Sequence, residues 1–86
     1  MTPQHFIGNA VTRRPGASAL FDCGHSKWYQ MVSEGLVPPP VKVSPKMAVW
    51  PLNELHTVLG AHIAGKSPDE IKTLVSQLVE ARKSRS

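Results

Sequence analysis

Cys23-x-His25, with His56 and His62 farther along, is the set of side chains that comes nearest to a metal site or a nucleophile. Imidazole and thiolate are common zinc ligands, but a structural site brings four together at one of a few spacings, and this spacing is none of them. A catalytic cysteine needs a base oriented beside it, and nothing in the sequence points to one for Cys23. Paired catalytic carboxylates and a phosphate-binding glycine loop are missing too. The expectation is no enzyme, no metal and no cofactor. The chain does offer groups of another kind: His25, Ser26, Lys27, Tyr29 and Gln30 in one short stretch, then Lys42, Ser44 and Lys46. Such side chains hydrogen-bond to phosphates and base edges, so the chemistry they suit is recognition. From residue 26 to residue 50 there are three lysines against one glutamate, which makes this half locally cationic.

Positioning them takes a helix, a stop and a hairpin. Residues 1–14 have neither helical nor strand period and read as an arm ending in Arg13 and Arg14, which either run along a phosphate backbone or stay solvated. A short helix is expected from about Pro15 to Phe21, with Pro15 suited to its first turn. Asp22-Cys23-Gly24 breaks it, Gly24 supplying the backbone freedom for a tight turn. A second helix covers about His25 to Glu34, with Trp28, Tyr29 and Met31 or Val32 on its apolar side. Gly35 ends it in a left-handed cap, and Pro38-Pro39-Pro40 forms a rigid link that cannot continue it.

Val41-Lys42-Val43 alternates as a half-buried strand should, with Lys42 pointing away from the core. Ser44-Pro45-Lys46-Met47 suits a type I turn with Lys46 at its tip, and Ala48-Val49-Trp50 returns. A third helix starts at Pro51 and spaces Leu52, Leu55, Val58, Leu59 and Ile63 on one side, until Gly65 closes it. Ser67-Pro68-Asp69-Glu70 is a capping box opening a fourth helix with Ile71, Leu74, Val75, Leu78 and Val79 on one face. Its basic end, Arg82-Lys83-Ser84-Arg85, complements the helix dipole and frays. The fold expected is mainly α with a small β-hairpin: a winged helix-turn-helix of four helices and a two-stranded wing. It divides into an arm (1–14), a DNA-binding domain (15–66) and a C-terminal amphipathic helix (67–86). That last helix either folds back onto the core or forms a homodimer interface through Ile71, Leu74, Val75 and Leu78.

Composition agrees with a small binding domain. The 86 residues hold one core, 41% of them are apolar, and the few aromatics argue against a large ligand cavity. A net charge of +4 and a pI near 9.7 fall in the range of nucleic-acid binders. The single cysteine excludes an internal disulfide and fits a reducing compartment. No apolar run is long enough to span a membrane, and MTPQHFIGN lacks the apolar core of a signal peptide, so the expected location is the cytoplasm.

Ser26-Lys27-Trp28-Tyr29, Glu34-Gly35, Pro38, Pro40-Val41-Lys42-Val43 and Trp50 fall in one register. With them, the stretch from about Ala19 to Ile63 resembles the AlpA-like regulators and phage excisionases, winged-helix proteins related to the MerR DNA-binding domain. It departs from their pattern at Asp22, where Gly is usual, at Gly24, where a capping Ser is usual, and at His25, where Arg is usual. The loss of the serine cap costs about 0.5 kcal/mol or less, since glycine is tolerated there. The resemblance implies that the second helix lies in the major groove, with His25, Ser26, Lys27 and Gln30 toward bases or phosphates and Tyr29 donating to a phosphate. Gln30, able to pair bidentately with adenine, is the first choice for base readout. Lys42, Ser44 and Lys46 would meet backbone or the adjacent minor groove. Trp28 and Trp50 are expected in the core rather than stacked on bases.

The function expected is sequence-specific binding of double-stranded DNA by a small transcriptional regulator. An excisionase-type recombination directionality factor is the close alternative. A protein-interaction adaptor using the C-terminal helix is the alternative of another class. No membrane partner and no small-molecule substrate are expected.

Overall fold

Glycine, proline and one capping box punctuate the described residues into seven elements. The computed structural model describes residues 10–84, so the expected arm is described only from residue 10 onward, and Arg85 of the basic tail lies outside. Strand β1 is Val11–Thr12, helix α1 Arg14–Leu20, helix α2 His25–Glu34, strand β2 Val41–Ser44, strand β3 Met47–Pro51, helix α3 Leu52–Ile63 and helix α4 Pro68–Lys83. The result is a small mixed α/β domain of four helices and a three-stranded antiparallel sheet ordered β1-β3-β2.

The third strand corrects the expected two-stranded hairpin. Val11 pairs with Pro51 and Thr12 with Trp50, and Leu52 N–H donates to Ala10 O at 2.9 Å. Part of the segment expected as an arm is therefore sheet, and Arg14 already belongs to α1. Gly16 allows this closeness: a Cβ there would run into the Thr12 side chain. On the other side of β3, Val41 faces Val49, Lys42 faces Ala48 and Ser44 faces Met47. Val43 is the extra residue of a bulge, so it leaves the alternation and stands 56% exposed rather than half-buried.

The turn between α1 and α2 is also built differently from expectation. Gly24 is extended, with φ −85°, and serves as the N-cap of α2; the left-handed residue is Asp22, with φ 51°. Aspartate tolerates this region better than most side chains. Gly35 behaves as expected, capping α2 at φ 77°, and its neighbour Leu36 N–H donates to Met31 O.

Two clusters make the core. Ala17, Trp28, Val37, Trp50 and Leu55 form the first, with the Trp28 and Trp50 rings edge-on at 5.6 Å. Both tryptophans are buried. Val58, Ile71 and Val75 form the second, with Leu36, Ala61, Leu74, Leu78 and Val79 packed around them. Phe21 touches both clusters, lying 5.4 Å from the Trp28 ring and 5.9 Å from that of His62. His62 Nε2 lies 2.9 Å from Leu36 O, which can only accept, so the proton is on Nε2 and the bond ties α3 to the segment after α2. Ile63, expected on the core side of α3, is 77% exposed, because the helix ends there and α4 covers the turn before it.

Helix α4 folds back onto the same chain. Ser67 Oγ accepts from Glu70 N–H, and Glu70 Oε1 accepts from Ser67 N–H, closing the capping box. The Ser67 N–H bonded to its carboxylate, and after it the Ser67 hydroxyl, hold the Glu70 carboxyl below the usual glutamate range. At the other end Arg82 is no frayed cation. Its Nε and Nη2 donate to the Glu54 carboxylate at 2.6–3.1 Å, and Nη2 donates to Pro39 O at 2.8 Å. Glu54 is 1% exposed, so this is a buried, bidentate pair.

Candidate nucleic-acid interface

Helix α2 has one buried residue, Trp28, and a broad outer surface. At 100° per residue, a single anchored position leaves His25, Ser26, Lys27, Tyr29 and Gln30 to solvent, and all five are exposed. The His25 and Tyr29 rings lie 4.9 Å apart, one turn along the helix, which gives the outer face a preset aromatic edge. Tyr29 is 45% exposed, a half-packed ring. The Gln30 amide donates to Glu34 at 3.2 Å and must leave that carboxylate before it can pair with a base. Because no side chain caps α2, its first backbone N–H groups are not taken up by a capping oxygen.

The hairpin carries the second group. Lys42, Ser44 and Lys46 are exposed, with Lys46 in the two-residue turn. Lys42 Nζ donates to Pro45 O at 3.2 Å, so its charge lies over the turn that contains Lys46. The α2 set and the hairpin set are joined by residues 35–40, whose proline carbonyls are held from both sides. Trp50 Nε1 donates to Pro38 O at 2.8 Å, and Arg82 Nη2 to Pro39 O at the same distance. Arg13 is the exposed N-cap residue of α1, while Arg14 is half-buried with Nη1 3.4 Å from Ser18 Oγ. Of the two arginines, Arg13 is thus the more open to an outside partner.

The side chains first considered for a metal are engaged separately. Cys23 Sγ lies 3.8 Å from Ser18 O, His25 rests on Tyr29, His62 meets Leu36 O, and His56 is exposed on α3. Among the described residues no group of three His, Cys, Asp or Glu could hold a metal ion, and no helix is long and apolar enough to cross a membrane.

The residues expected at a dimer interface are placed inward. Ile71 and Val75 are 3% and 6% exposed within one chain, and Leu74 and Leu78 pack against the same cluster. Beside it lies an open groove of about 370 Å³ between the end of α2 and α4, floored by Val32, Val37, Val75 and Val79.

Sequence reasoning missed the Glu54–Arg82–Pro39 junction. A signal was present: Glu54 is one turn before Val58 and so lies on the buried stripe of α3, where a carboxylate needs a partner. Compared with known proteins, the chain matches no family model, no curated protein and no solved structure.

Proposed function

We propose that this chain is a sequence-specific double-stranded DNA-binding protein of the winged helix-turn-helix type, acting as a small transcriptional regulator. In this reading α2 enters the major groove and the β2–β3 hairpin is the wing, laid on the backbone or in the adjacent minor groove. The observation that carries it is the outer face of α2. Five polar or aromatic side chains project from a helix pinned by Trp28, and a rigid link leads at once to a hairpin with two exposed lysines. Lys27, Lys42 and Lys46 supply phosphate contacts, Ser26 and Gln30 supply base contacts, and the Tyr29 hydroxyl supplies a phosphate donor. The left-handed Asp22 supports the family resemblance as well, since it stands where that pattern has glycine.

The test is binding of purified protein to fragments of its source genome at about 150 mM salt, with the retained fragments sequenced. Enrichment of one or a few sites is the expected outcome. A promoter beside the site fits a regulator, whereas repeated sites beside an attachment sequence fit an excisionase-type factor. Uniform retention that disappears as salt rises reduces the activity to backbone electrostatics, and no retention sinks the reading.

A further inference from the structure

We infer that Arg82 is a positioning residue for the hairpin: the last turn of α4 holds the proline link and thereby sets the hairpin relative to α2. For its effect on DNA this rests on the reading proposed above; the mechanical part does not.

Pro38, Pro39 and Pro40 have no backbone N–H, so this link cannot be fixed by donating hydrogen bonds. Besides the burial of Val37 and Pro38, its carbonyls are what the rest of the protein can grip. Pro38 O is gripped by Trp50 Nε1, from the returning strand of the hairpin, in a buried bond of 2.8 Å. Pro39 O is gripped by Arg82 Nη2, from α4. The first bond fixes the link to the hairpin, and the second fixes it to the helical body. Arg82 can do this because its own orientation is set: Nε and Nη2 both donate to Glu54, in the first turn of α3 and 1% exposed. A planar guanidinium can serve the carboxylate and the carbonyl together, whereas a single ammonium on a flexible stem cannot hold both in this geometry. The junction thus joins α3, α4 and the link at the point where the chain leaves α2 for the hairpin.

A merely stabilising ion pair would loosen the whole domain when removed; a positioning one loosens the hairpin first. Two full-length variants separate these. Arg82→Lys keeps the charge opposite Glu54 but gives up the fork. The pair Glu54→Leu with Arg82→Met removes both charges, so no carboxylate is left buried beside a missing arginine. In each, hydrogen exchange is followed by NMR at the Trp50 indole N–H and the β2–β3 amides, with the α3 amides as reference. Binding to a random-sequence duplex of about 30 base pairs is followed in parallel at low salt. The expected result is exchange about tenfold faster at the indole and hairpin than at α3, with duplex affinity about tenfold weaker. Exchange that is unchanged, or raised equally everywhere, overturns the inference. Locally faster exchange with duplex affinity unchanged overturns its consequence for DNA. If the unmodified protein itself fails to bind the duplex while the local exchange effect is present, the DNA reading fails and the grip of Arg82 on the link stands.

Discussion

Helices α2 and α4 are built to opposite plans. In α4 the polar ends are satisfied from within: Ser67 and Glu70 cap the first turn, and Arg82 in the last turn grips Glu54 and Pro39. In α2 no side chain caps the start, one residue is buried, and the polar side chains of the outer face are exposed. The apolar face of α4 is covered by α3 and Leu36. The difference teaches that charge alone identifies nothing: Arg82 and Lys27 both add to a net charge of +4, yet one is spent inside the fold and the other faces outward. The contrast lies at the helix ends, since Lys72, Ser76 and Gln77 leave α4 an exposed polar face as well. Helix α2, with Trp28 buried, Met31 and Val32 packed beside it and its first turn uncapped, is the better candidate for a surface that meets a partner.

The largest way to break this contrast is at Arg82. Arg82→Ala leaves Glu54 buried without its guanidinium and should cost about 3 kcal/mol of stability, while Lys27→Ala should cost less than about 0.5 kcal/mol. Urea unfolding of the two variants measures both; equal losses would mean that α2 and α4 do not differ in the way described. Next in size is the reversed experiment on function. Lys42→Glu with Lys46→Glu should lower duplex affinity by about a hundredfold and flatten its salt dependence, with the thermal midpoint nearly unchanged. A variant that binds as before would remove the hairpin from the interface.

Smaller effects sharpen the contrast at the helix starts. Ser67→Ala should destabilise the protein by about 1 kcal/mol, because a capping bond in α4 is lost. Gly24→Ser should stabilise it by about 0.3 kcal/mol, because a cap is added to α2 where the backbone is already extended and a Cβ meets nothing within 4 Å. Thermal melts of the two variants should therefore shift in opposite directions. The smallest effect is in pH. The folded carboxyl of Glu70 lies below its unfolded value, so its contribution is present at neutral pH and is lost as pH falls through the folded value. The protection factors of the amides in the first turn of α4 should fall on acidification before those of α2, which has no such cap.

Much of this was legible in the residues because the signals were local. Gly35 and the proline run bound α2 at His25–Glu34, as the apolar spacing and the stops imply. The capping box announced α4, and Pro45-Lys46 announced the reversal between β2 and β3. The side chains proposed for recognition were legible as a group too, and the structure leaves them exposed. What was not legible depends on distant partners. Strand β1 is two residues long and exists because β3 offers it an edge, so no periodicity could reveal it. The bulge at Val43 breaks an alternation that any reading of the pleat assumes. Glu54 and Arg82 are 28 residues apart, and an arginine near a helix C-terminus looks like a dipole complement until its partner is known. The left-handed turn falls on Asp22 rather than Gly24 because the extended cap of α2 needs no positive φ.

The irregularity of β2 reaches beyond the hairpin itself. It is an outer strand of the sheet, and an outer strand with free backbone groups invites a neighbouring molecule to add another. Here the bulge interrupts the ladder at Val43, Pro45 follows directly, and Lys42 and Lys46 place like charges on the same short stretch. Two such edges brought together would mismatch in register and repel. The feature that turns a valine out to solvent therefore also disfavours strand addition at the β2 edge of the sheet.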